Sequence, residues 1–135
     1  MTNTNNKIAR IEHINISVAN ADIMAGKLCE IFDWQVRWSG PAMDEGYTVH
    51  VGSEGENSSY FALYAPKQLV KNPNSGHQLE ACLNHVGIVV DDLAQLEERL
   101  LTLGYKPFSH SDYGPCSSFY FHIDQRFEIE VIQYK

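Results

Sequence analysis

Apolar and polar positions alternate through Ile11-Glu12-His13-Ile14-Asn15-Ile16-Ser17-Val18, and the same alternation returns in Leu83-Asn84-His85-Val86-Gly87-Ile88-Val89-Val90. In each copy a histidine holds the third place and apolar residues hold the fourth, sixth and eighth. A period of two predicts a half-buried strand, over about residues 8–18 in the first copy and 83–90 in the second. Ile14, Ile16 and Val18 then share one face, and His13, Asn15 and Ser17 the other. Each strand is followed by apolar residues at helical spacing. Residues 20–32 carry Ile23, Leu28, Ile31 and Phe32, with Asn20 or Asp22 placed to cap the start. The second helix runs to about Leu103 and carries Leu93, Leu96, Leu100 and Leu101, with Asp91 or Asp92 as its N-cap and Gly104 as its C-cap.

Shorter apolar runs complete each half. Trp34 to Trp38 reads as a strand broken by Ser39-Gly40-Pro41, and Tyr47–Val51 and Ser59–Tyr64 read as two more. In the second half, Tyr105–Ser109 is a strand, and Ser117–Ile123 with Phe127–Gln133 form a hairpin around Asp124-Gln125-Arg126. Both halves therefore have the order β-α-β-β-β, and His13 and His85 lie 72 residues apart. Two repeats of this length do not make a solenoid. They predict an α+β fold: one domain of two βαβββ modules, residues 8–65 and 82–135, joined by a polar linker over 66–81 that contains Pro66, Pro73, Asn74, Ser75 and Gly76. The helices are expected on the outer faces of curved mixed sheets, whose other faces, with His13 and His85, enclose a cleft.

Composition narrows the function classes. At 135 residues the chain is long enough for a core that needs no staples. Its net charge is −7 with scattered Lys and Arg, which argues against nucleic acid. No apolar run approaches the roughly 18 residues that span a bilayer, so no membrane partner is expected. The polar start, Met1 to Lys7, reads as a frayed tail rather than an export signal. Cys29, Cys82 and Cys116 are odd in number and spacing, which fits a reducing cytoplasm.

Candidate chemistry gathers on the faces turned away from the helices. In Phe127-Glu128-Ile129-Glu130-Val131-Ile132, Ile129 and Val131 belong on the helix side, so Glu128, Glu130 and Ile132 fall on the other. An unpaired buried carboxylate is costly, and a divalent cation would neutralise it. Two imidazoles with one carboxylate form a ligand set that leaves positions open for substrate or water. His13, His85 and Glu130 are the assigned metal ligands, with Glu128 as the alternative carboxylate. By the same alternation His50 shares a face with Thr48, and Tyr120 and His122 point away from Phe119, Phe121 and Ile123. His50, Tyr120 and His122 are candidate acid–base residues, against the plain reading of hydrogen-bonded rim residues. Tyr60 and Tyr64 flank Ala62 as a candidate aromatic wall. Asn15 and Ser17 are candidate partners for the ligand imidazoles. His77 and His110 read as solvated loop residues, and Trp34 with Trp38 as core or interface.

Taken together, the duplicated βαβββ order, Ile11-Glu12-His13-Ile14, Leu83 to Asp92, and Phe119-Tyr120-Phe121-His122-Ile123-Asp124 leading into Ile129-Glu130-Val131 resemble the vicinal oxygen chelate superfamily. That group includes glyoxalase I, extradiol dioxygenases, methylmalonyl-CoA epimerase, fosfomycin-resistance enzymes and bleomycin-binding proteins. The resemblance covers about residues 8–134. It implies four ligand slots, of which His13, His85 and Glu130 fill three, while the slot on the last strand of the first module falls at Ala62, which cannot bind metal. It implies a divalent metal (Fe, Mn, Ni or Zn), a small oxygen-bearing substrate, lyase, isomerase, dioxygenase or transferase chemistry, and a homodimer. No organic cofactor is implied. The competing reading is a metal-free binding or sequestration protein of the bleomycin-resistance type, for which the two Trp, seven Tyr and six Phe would suit a flat ligand.

Overall fold

The computed structural model describes residues 9–55, 57–71 and 77–135. The expected tail at Met1–Lys7, and Pro73, Asn74, Ser75 and Gly76 of the linker, lie outside the described residues. The chain falls into two compact units, Met1–Leu69 and Val70–Lys135.

The first unit contains β1 (His13–Ser17), α1 (Ala21–Phe32), β2 (Gln35–Pro41), a short 3-10 turn (Met43–Glu45), β3 (Tyr47–Gly52) and β4 (Tyr60–Ala65). Its sheet has the order β1-β4-β3-β2, with β1 parallel to β4 and the other pairs antiparallel. The second unit repeats this with β5 (Val86–Val89), α2 (Leu93–Leu103), β6 (Phe108–Tyr113), β7 (Cys116–Asp124) and β8 (Phe127–Tyr134). Its order is β5-β8-β7-β6, with β5 parallel to β8. The fold is α+β, two βαβββ modules each built on a four-stranded mixed sheet.

The helices form where their caps permit. The Asn20 side chain accepts from the Ile23 N–H and the Asp92 side chain from the Gln95 N–H, so each satisfies a backbone donor that the first turn leaves unpaired. Gly104 ends α2 at φ 96, a left-handed conformation that glycine adopts without strain. Helix α1 packs on β2, β3 and β4 through buried Met24, Leu28 and Ile31, opposite Val49, Val51, Phe61 and Leu63. In the second unit α2 packs on β8, with Leu96 and Leu100 buried, and Phe119, Phe121, Ile129 and Val131 form the apolar side of the sheet. One helix thus covers one face of each sheet.

Several boundaries differ from the sequence expectation. The first strand is only His13–Ser17, and the fifth starts at Val86, so His85 stands one residue ahead of it. Ser39-Gly40-Pro41 does not end β2; Pro41 closes it at the sheet edge, where a missing N–H is tolerated. The strand expected at Tyr105–Ser109 is shifted to Phe108–Tyr113, past Pro107. The antiparallel edge strand of each sheet, β2 and β6, carries a register shift. In β2, Val36 pairs with Val51 but Trp38 pairs with His50; in β6, Phe108 pairs with Tyr120 but Ser111 pairs with Ser118. Each shift inserts one residue and reverses the alternation beyond it. Trp38 therefore lies on the His50 side, away from α1, and is 52% exposed rather than core. Trp34 is the packed tryptophan, stacked on Phe32 at 4.8 Å and edge-on to Phe61 at 5.5 Å.

Candidate functional site

The faces turned away from the helices carry the polar residues expected there. In the second unit, Gly87, Glu130 and Tyr120 stand side by side across β5, β8 and β7. His85 precedes β5 on the same side, and its Nε2 lies 3.2 Å from Glu130 Oε1. Its other nitrogen, Nδ1, donates to Asn84 Oδ1 at 2.7 Å. The Tyr120 ring meets the His85 ring edge-on at 5.2 Å between centroids.

This geometry has a chemical consequence. With its Nδ1–H committed to Asn84, a neutral His85 turns the Nε2 lone pair toward a carboxylate. Two electron-rich atoms at 3.2 Å need a cation between or beside them, a proton or a metal. Two donors that share an ion at about 2.1 Å each, at angles of roughly 90–110°, stand about 3.0–3.4 Å apart. The pair therefore fits a divalent metal.

The first unit repeats half of this arrangement. His13 Nδ1–H donates to Glu12 Oε1 at 2.8 Å, which leaves Nε2 as the lone-pair nitrogen. The register makes the rest comparable: Asn15, Ala62 and His50 stand side by side, as Gly87, Glu130 and Tyr120 do. Ala62 is thus the positional counterpart of Glu130, and a methyl group stands where the second unit has a carboxylate. Tyr60 is the counterpart of Glu128. Its ring stacks on His13 at 5.1 Å and lies 4.8 Å from His50, which in turn lies 5.2 Å from Trp38. The Arg37 guanidinium sits over the Tyr60 ring at 4.9 Å.

Electrostatics follow from these contacts. Hydrogen bonds from His13 and Tyr60 hold the Glu12 carboxyl below its usual value. Burial, then the Glu12 charge, pushes the Tyr60 hydroxyl up. Burial first, then the neighbouring His13 and the Arg37 charge, push the His50 imidazole down against the Glu12 carboxylate, so it is neutral at physiological pH.

Two of the three assigned ligands, His85 and Glu130, are in contact, while His13 belongs to the other unit. Within either unit, no three His, Cys, Asp or Glu side chains among the described residues are grouped to hold a metal. Of the candidate acid–base residues, Tyr120 is beside His85, His50 sits in the aromatic row, and His122 Nε2 lies 3.1 Å from Glu128 Oε1. Glu128 Oε2 also meets His77 at 3.4 Å, so Glu128 is occupied by two imidazoles and Glu130 by one. His77 and His110 are not simply solvated: His110 lies in β6, 2.6 Å from Glu97. The expected partners Asn15 and Ser17 are replaced by Glu12 and Asn84. Those preceding residues were missed because alternation assigns neighbours along a strand to opposite faces. A carboxylate or amide immediately before each histidine was the available sign.

No protein-family model matches the chain, and neither does any curated protein. Solved structures do match. A glyoxylase/bleomycin resistance protein/dioxygenase domain from Frankia sp. EAN1pec superposes with TM-score 0.76 at 18% identity, over 95% of this chain and 99% of that one. A variant of the fosfomycin resistance protein FosX from Listeria monocytogenes, complexed with Mn(II) and 1S,2S-dihydroxypropylphosphonic acid, gives TM-score 0.68 at 16% identity, over 92% and 91%. An antibiotic binding protein from a Streptomyces species gives 0.70 at 12% identity, over 96% and 98%. Strand order, paired modules and these superpositions agree: the chain has the vicinal oxygen chelate fold, that of the glyoxalase/bleomycin resistance/dioxygenase proteins.

Proposed function

We propose that the chain is a metal-dependent enzyme acting on a small oxygen-bearing molecule, with His13, His85 and Glu130 as the protein ligands of one divalent ion. The observation that carries this reading is the Asn84–His85–Glu130 arrangement, in which one imidazole nitrogen is fixed by a neighbour and the other faces a carboxylate at 3.2 Å. Metal-binding imidazoles are commonly oriented in this way. The repeat of the device at Glu12–His13 supports His13 as the third ligand. A FosX variant of the same fold is complexed with Mn(II), which supports a divalent ion in this reading. Held by these residues, a divalent cation would supply Lewis acidity to an oxygen-bearing substrate.

The remaining roles belong to side chains. Asn84 and Glu12 hold the two imidazoles in one tautomer. Ala62 leaves a ligand position open. His122, held by Glu128, and the neutral His50 are the bases placed to move a proton, and Tyr120 is the hydroxyl-bearing ring beside His85. The three cysteines are free, which is consistent with a cytoplasmic protein, and no described helix is long and apolar enough to cross a membrane. The proposed assembly is a homodimer, with His13 contributed within one chain or across two.

A second reading, a metal-free binder of flat molecules, is favoured by one observation: the ring row His13–Tyr60–His50–Trp38 ends in a half-exposed tryptophan. Metal content separates the two. Protein purified without a histidine tag should carry near-stoichiometric divalent metal, lost in His85→Ala. Metal-free protein that neither takes up nor responds to divalent ions would favour the binder.

A further inference from the structure

The inserted residue in β6 turns a histidine. Phe108 pairs with Tyr120 on the face away from α2, and simple alternation would send His110 there too. Instead Ser109 adopts φ 55, a left-handed conformation that costs a non-glycine residue about 1 kcal/mol or more. His110 consequently points to the helix side. Its ring packs on Phe119 at 5.3 Å and its Nε2 meets Glu97 Oε2 of α2 at 2.6 Å.

This pair borders an open cavity of about 400 Å³ between the first turns of α2 and the ends of β6, β7 and β8. The volume is in the range of small-molecule sites. Leu93 and Ala94 supply apolar surface beside the buried Phe119, and Asp112, Ser117 and Gln133 supply polar groups. Both lining carboxylates are already engaged: Glu97 by His110, and Asp112 by the Ser117 hydroxyl and by Lys135 at 3.1 Å. Gln133 Oε1 accepts from the Leu93 N–H, which leaves its amide as a donor. What the cavity offers is a mixture of donors and acceptors beside a small apolar wall, with both carboxylates already held in hydrogen bonds. A strong cation would compete with existing partners, and an anion would meet two carboxylates.

We propose that this cavity binds a small neutral polyhydroxylated molecule, a monosaccharide or polyol. The site lies on the helix side of the second sheet, opposite the face that carries His85 and Glu130, and does not depend on the metal reading.

The test is amide chemical-shift mapping of the whole ¹⁵N-labelled chain, titrated separately with glucose, myo-inositol, glycerol and putrescine. A neutral polyol should give saturable shifts at Ala94, Asp112, Ser117 and Gln133, and the ligand that saturates first distinguishes a ring sugar from an open polyol. Ser117→Val should weaken binding by about tenfold, the loss of one hydrogen bond. Ala94→Leu, at an exposed helix position that leaves the fold intact, should abolish binding by filling the space. Glu130→Ala should leave it unchanged. Saturation by putrescine alone, shifts that ignore Ala94→Leu, or no saturable shift with any polyol would overturn the proposal.

Discussion

His85 Nε2 stands 3.2 Å from Glu130 Oε1, while the opposite ring nitrogen is held by the residue just before it in the chain. The proposed metal site rests on that relationship and on its partial copy at Glu12–His13. Asn84→Ala and Glu12→Ala should each lower divalent-metal affinity by about 10–100-fold, the range typical of outer partners of metal-binding imidazoles. Isothermal titration with Zn(II) or Mn(II) measures this. Asn15→Ala and Ser17→Ala, whose side chains lie two and four residues beyond His13, should leave affinity unchanged.

Ala62 is 3% exposed and occupies the position that Glu130 has in the other module. Ala62→Glu should destabilise the metal-free protein, because an unpaired buried carboxylate is costly. Metal should then raise the melting temperature of the variant more than that of the wild type. It should also weaken binding of a small hydroxamate, by filling an open position. Equal metal-induced shifts in variant and wild type would show that Ala62 is not the equivalent slot.

Burial raises the Cys29 thiol above its ordinary value, whereas Cys82 is exposed. Because the thiolate is the reactive form, a disulfide reagent at neutral pH should modify Cys82 first and Cys29 last. Mass spectrometry of the quenched reaction gives the order, and raising the pH should narrow the gap.

Hydrogen bonds from Ser117 and Lys135, then the Lys135 charge, hold Asp112 below its ordinary 3.8. A depressed folded-state value contributes stability that is present above the unfolded-state value and lost as pH falls through the folded one. Wild type should therefore exceed Asp112→Asn in stability by a constant amount near neutrality, with the difference closing below about pH 4. Urea unfolding of both proteins across that range measures it. The contribution is small, since the carboxylate is exposed.

Much of this molecule is written in short-range pattern. Period-two alternation placed His13, Glu130, Tyr120 and His122 on faces away from the helices, and Asn20, Asp92 and Gly104 mark helix ends because their side chains, or the lack of one, satisfy or permit the terminal backbone. What alternation misses is the inserted residue. One extra residue in β2 moves Trp38 out of the expected core, and one in β6 moves His110 onto α2. Neither insertion carries a glycine or proline that would announce it: Arg37 and Ser109 occupy those positions. Contacts between adjacent residues, such as Asn84 with His85, escape a reading that follows every second side chain. The pairing of Glu128 with His77 and His122, rather than with His85, depends on register across β7 and β8, which no single strand reveals.

The most direct test of the central claim is a cobalt(II) titration of untagged, metal-free protein followed by visible absorption. The account predicts a saturable d–d band in wild type, lost in both His85→Ala and Glu130→Ala and retained in Glu128→Ala. A band that survives Glu130→Ala but vanishes in Glu128→Ala, or no saturable band in the wild type, would contradict it.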